Sequence, residues 1–169
     1  MEVAILGGQY IKIRGKHATI AINPDDKTSA YEVAIILGGQ TGVKINDEAV
    51  VIDGPGEYEI GGIKISGIRS NGETVYSLVV DGVVTVLGSL DALSKVQTKL
   101  QDSHVVLVKV SDIIDASFVT SLAPNVLMFY GEKADEAVKT IEKEGIITAN
   151  KYQVSYDKLP SEMLTVLLQ

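Results

Sequence analysis

Cysteine is absent from this chain of 169 residues. That removes disulfides, thiolate-held zinc and a thiol nucleophile at once. Histidine is scarce, with two copies, at His17 and His104. No apolar run approaches the roughly 18 residues that a membrane-spanning helix needs. The first six residues, Met1–Leu6, form a short apolar stretch without a basic flank, so no secretory leader is expected there. Basic residues never cluster: Lys12, Arg14, Lys16, Lys44, Lys64, Arg69, Lys95 and Lys99 stand singly, and the net charge is −7. Nucleic-acid affinity comes largely from Lys and Arg neutralising phosphates, so a nucleic acid is not an expected partner, nor is a membrane. What the chain does have is 46% hydrophobic and 22% charged residues. A chain of this size and make-up buries a core as one domain, spanning residues 1–169, and a cytoplasmic location is expected.

The two halves carry different patterns. Up to Gly88 the chain reads as short strands and tight turns. Val3–Leu6, Tyr10–Ile13, Ala18–Ile22, Val33–Leu37, Ala49–Ile52, Glu57–Ile60, Ile63–Ile68, Val75–Val80 and Val83–Leu87 are rich in β-formers. Asp81-Gly82 between the last two is a two-residue hairpin signal, because both residues tolerate positive φ. From Ser89 onward helices alternate with strands. Ser89 is placed to cap a helix carrying Leu93, Val96 and Leu100. Val105–Val110 follows as an apolar strand. A second helix, capped by Ser111 or Asp112, carries Ile114, Phe118 and Leu122. Asn125–Tyr130 is a strand, Glu132–Glu144 a third helix stopped by Gly145, and Leu164–Leu168 a closing strand. Helices bury their stripes on sheets, so the expected architecture is layered.

One segment is specific. Val50–Ile63 contains Gly54-Pro55-Gly56-Glu57-Tyr58-Glu59-Ile60-Gly61-Gly62. It resembles a hairpin of small bacterial and archaeal metallo-β-lactamase-fold proteins, in the branch similar to ascorbate-6-phosphate lactonase. Leu6–Ile13, Ala18–Pro24, Tyr31–Gly42, Thr85–Leu90 and Ala123–Glu132 follow that branch's other segments in order. The resemblance implies an α+β fold, a four-layer αββα sandwich in trimmed form. It also implies where zinc ligands would stand. The family's first histidine falls on Gly8, and its metal motif on Leu37, Gly39, Thr41 and Gly42. Its bridging aspartate falls on Ser89, its late histidine near Gly131 and the aspartate of its Ile-Asp-Pro strand on Asn23. None of these residues is a zinc ligand of that type. Two histidines in the whole chain are too few for a binuclear site. No metal and no cofactor are therefore expected.

The vacated position is where a functional site is sought. Leu6-Gly7-Gly8-Gln9 and Leu37-Gly38-Gly39-Gln40 repeat one motif at two strand ends. Glycine lets backbone approach a ligand and exposes N–H groups, so Gly7, Gly8, Gln9, Gly38, Gly39, Gln40 and Ser89 form the candidate ligand site, suited to a small anion. The plainer alternative is that these residues only fill the space of a lost metal cluster. Ser89 lacks the second glycine of a nucleophile elbow and reads more simply as a cap. His17 and His104, without partners in the sequence, read as surface histidines. The expected function is a non-catalytic binding or assembly module, with a protein partner or a second copy joining at open sheet edges. The alternative is a metal-independent, lactonase-like hydrolase using the pocket near Gly8, Gly39 and Ser89.

Overall fold

A computed structural model describes residues 1–7, 10–25, 30–38, 45, 47–100, 102–112, 121–141 and 145–169. Two sheets face each other. The six-stranded sheet contains β1 (Glu2–Leu6), β2 (Tyr10–Arg14), β3 (Thr19–Ile22), β4 (Val33–Ile35), β5 (Val50–Ile52) and β13 (Lys151–Gln153). Its order is β13-β1-β2-β3-β4-β5. The eight-stranded sheet contains β6 (Gly56–Ile60), β7 (Ile63–Ser70), β8 (Glu73–Val80), β9 (Val83–Ser89), β10 (Val105–Lys109), β11 (Val126–Tyr130), β12 (Ile147–Ala149) and β14 (Leu164–Leu168). Its order is β12-β14-β11-β10-β9-β8-β7-β6. Helices α1 (Leu90–Val96) and α2 (Ala134–Ile141) complete the described elements. This is the expected α+β sandwich.

The turns follow their residues. Asp81 and Gly82 both take positive φ, at 52° and 81°, as a type I′ hairpin requires. Asn71-Gly72 and Gly61-Gly62 make the preceding two hairpins with the same handed backbone. The Gly54-Pro55-Gly56 corner carries the chain from the edge of one sheet to the edge of the other. There the Tyr58 and Tyr76 hydroxyls both donate to the Gly54 carbonyl, at 3.3 and 3.4 Å.

The core lies between the sheets, where Ile11, Ile13, Ile20, Ile22, Val33 and Ile35 meet Tyr76, Leu78, Leu87, Leu107, Met128 and Val166. The other face of the eight-stranded sheet packs on α1 and α2 through Val86, Val106, Val108, Leu127 and Phe129 against Leu90, Leu93, Ala134, Ala137 and Val138. Both faces of β10 and β11 are thus covered, which is why Val105–Val110 and Val126–Tyr130 read as continuous apolar runs. On the outer face of the six-stranded sheet, Ala21, Tyr31 and Ala34 pack with Ile45 and Ala49.

Three details differ from the sequence reading. Strands β12 and β13 are three residues each and carry no periodic signal; they step the chain from one sheet to the other. Helix α1 ends at Val96 and tightens into a 3-10 turn over Gln97–Lys99, which still buries Leu100. The body of the helix expected from Asp112 to Leu122 lies outside the described residues. No helix among the described residues is long and apolar enough to cross a membrane.

Candidate functional site

Strands β9, β10, β11 and β14 run parallel and end together. In register, Ser89 pairs with Lys109, and Lys109 with Tyr130. Strand periodicity turns all three toward the other sheet: Lys109 extends the row of Val105 and Leu107, Ser89 that of Leu87, and Tyr130 belongs to the inter-sheet core itself. In sheets of this kind, the carboxyl ends of parallel strands are where loops leave space for ligands.

Facing them are the ends of β1, β3 and β4. Gly7 follows β1, Asn23 follows β3 and Gly38 lies past β4. Glu73, at the start of β8, spans the gap between the sheets. One oxygen of its carboxylate accepts a hydrogen bond from the Ser89 hydroxyl. The other lies 2.9 Å from where a Cβ on Gly38 would stand. Gly38 has φ +62°, so glycine is required there both for conformation and for space. Ser89 does double duty, since its Oγ also accepts from the Ala92 N–H at 3.3 Å and caps α1.

The electrostatics are uneven. Burial pulls the Lys109 ammonium below its ordinary 10.5, and the carboxylates of Glu73 and Glu132 oppose that shift. Burial pushes the Tyr130 phenol far above its ordinary 10.0, and the Glu73 charge adds to it. The Tyr130 hydroxyl is fully buried and has no hydrogen-bond partner among the described residues. Asn23 is also fully buried, at φ +50°. Its Oδ1 accepts from Leu37 N–H at 2.7 Å, locking the exits of β3 and β4, while its Nδ2 has no described partner.

Gly7 and Gly38 therefore stand at one end of the sandwich but at separate places. Strands β2 and β3 lie between β1 and β4, so the two glycines are three strand spacings apart, roughly 14 Å. Gly38 faces Glu73 and Ser89. Gly7 lines a different cavity of about 380 Å³, with Ile5, Gly131, Glu132, Ala134, Asp135, Leu167, Leu168 and Gln169. Gly8, Gln9, Gly39 and Gln40 lie outside the described residues. Sequence reasoning missed Glu73, Lys109 and Tyr130. A signal existed for two of them: each closes an otherwise apolar strand with a polar group. Glu73 has none, because its role comes from a contact across the sandwich.

Both histidines lie elsewhere. His104 precedes β10, at the opposite end of that strand, where its Nδ1 accepts from Val84 N–H at 2.9 Å. Its ring stands edge-on to Tyr156 at 5.3 Å. His17 lies in the turn after β2, beside Asp81 and Gly82, also away from the mouth. Among the described residues no three His, Cys, Asp or Glu side chains come together as a metal site would need. At the mouth itself a single carboxylate, already bonded to Ser89, stands beside a lysine. Such a set does not fit zinc, which takes neutral imidazoles and carboxylates, not an ammonium neighbour.

No family model matches this sequence, and no curated protein matches it closely. Solved structures do. A Thermotoga maritima protein, assigned to the Zn-dependent hydrolases of the metallo-β-lactamase superfamily, superposes with a TM-score of 0.75 at 18% identity, over 99% of this chain and 98% of its own. A Parabacteroides distasonis protein, assigned as a metal-dependent hydrolase, gives 0.64 at 13% identity, over 99% and 93%. Likeness at such low identity speaks for architecture, and with the sheet order above it settles that point: the chain has the metallo-β-lactamase fold.

Proposed function

We propose that this domain binds a small polar ligand without metal and without turning it over, at the mouth where hydrolases of this fold are expected to hold zinc. One observation carries the reading: Ser89, Lys109 and Tyr130 stand abreast on three adjacent parallel strands, with Glu73 bridging to Gly38. Donors and acceptors of both charges converge there, which a merely filled relic does not need. A thermal-shift screen of small polar compounds tests it. Compounds that stabilise the parent protein should lose their effect in Lys109→Met and Glu73→Gln. Hits that survive both substitutions would place binding elsewhere and end this reading.

A second reading has its own support. The Ser89 hydroxyl already donates to the Glu73 carboxylate, as a serine nucleophile would to its base. That points to a metal-independent hydrolase of esters or lactones. Turnover that persists with chelator and vanishes in Ser89→Ala would favour it over the binding module. For assembly, the edge strand β5 leaves Val50 and Val51 47% and 43% exposed, which supports pairing with a second copy. Sedimentation of the parent protein and of Val51→Lys checks that.

A further inference from the structure

The mouth does not end at Tyr130. The next residue, Gly131, opens the cavity of about 380 Å³ that Gly7 also lines. Gly131 has φ +106°, and a Cβ on it would stand 2.6 Å from the Val110 carbonyl oxygen. The backbone there is bent sharply out of the sheet. The cavity's floor is apolar, built from Ile5, Leu167 and Leu168, and its rim is acidic, from Glu132 and Asp135. Polar and apolar halves are thus continuous along the ends of β10, β11 and β14.

We propose that this mouth takes a small monocarboxylate with an apolar chain, its head held by Lys109 and the Tyr130 hydroxyl and its chain lying on Ile5, Leu167 and Leu168. The inference rests on the ligand-site reading above and adds the class of ligand. Three observations lead to it. The Tyr130 hydroxyl is a buried donor without an acceptor, and an unmade hydrogen bond of that kind is costly. A ligand oxygen supplies the acceptor. Lys109, half withdrawn from water on the adjacent strand, supplies the positive charge for a single anionic head. Glu73, Glu132 and Asp135 then limit that charge. They repel phosphates and dicarboxylates, whereas one delocalised charge beside Lys109 is tolerated. The apolar floor selects for a chain in place of a polyol.

Titration of the isotope-labelled protein, followed by amide NMR, tests this with five probes: acetate, butyrate, hexanoate, hexylamine and inorganic phosphate. Hexanoate should move the amides of Gly7, Tyr130, Gly131 and Leu168. Affinity should rise roughly fourfold for each added methylene. Tyr130→Phe should weaken hexanoate about fivefold and Lys109→Gln more, with melting temperatures showing that both variants fold. Hexylamine or phosphate binding as tightly as hexanoate at the same amides overturns the ligand class. If Lys109→Gln or Glu73→Gln then alters that binding, the site itself stands. No shift with any carboxylate overturns the inference alone, and the thermal-shift screen decides the site independently.

Discussion

Glu73 and Ser89 are joined across two antiparallel strands, the carboxylate accepting from the hydroxyl while that same Oγ caps α1. Ser89→Ala therefore removes a helix cap and an acceptor's partner together. Loss of a serine cap costs about 1 kcal/mol. Ser89→Asp should restore the cap but set two carboxylates side by side. We expect Ser89→Ala to lower the melting temperature modestly, and Ser89→Asp to lower it further at neutral pH than at pH 4. Urea melts at both pH values check the pair.

Tyr130→Phe separates stability from function. A buried hydroxyl with no partner gives the fold nothing, so its removal should leave stability unchanged or slightly higher. Had the hydroxyl been hydrogen-bonded within the protein, the loss would be about 1–3 kcal/mol. Chemical denaturation of the single variant distinguishes these outcomes. A large destabilisation would mean that the phenol has an internal acceptor.

Gly131→Ala is expected to be severe. The added Cβ meets backbone, at Val110 O, and the φ of +106° is foreign to an L side chain. A cost of roughly 3 kcal/mol follows from strain of this kind. Gly62→Ala shares a positive φ but meets nothing within 4 Å, so it should cost less. The difference between the two melting temperatures measures the clash alone.

Lys109 gives a pH signature. Its folded pKa lies below the ordinary 10.5, because burial disfavours the ammonium more than Glu73 and Glu132 favour it. Below the folded value both states are protonated and the penalty is fully present. Between the folded value and 10.5 the unfolded chain holds the extra proton, so stability rises with pH. Lys109→Met should therefore gain most over the parent near neutrality, with the gain shrinking as pH approaches 10.5. A gain independent of pH would show that the ammonium is not disfavoured by folding.

The fold was readable where local chemistry repeats. Asp81-Gly82 announced a hairpin, the apolar runs at Val105–Val110 and Val126–Tyr130 announced strands covered on both faces, and Ser89 announced a cap. Strands β12 and β13 were not readable, since three residues with Ile147 partly exposed carry no period. The site was half readable. Gly38 and Ser89 were visible as a strand-end glycine and a vacated ligand position. Glu73 was invisible because it acts 16 residues from Ser89 along the chain and across the sandwich from Gly38. Gly7 was paired with Gly38 by motif, yet strand order sets them at different parts of the mouth.

The central claim is that Glu73, Ser89, Lys109 and Tyr130 hold a ligand where zinc would otherwise sit. Elemental analysis of protein purified without chelator, after growth in zinc-supplemented medium, tests it most directly. The account predicts zinc far below one equivalent, with none lost on Glu73→Gln. Stoichiometric zinc that is abolished by Glu73→Gln would contradict it.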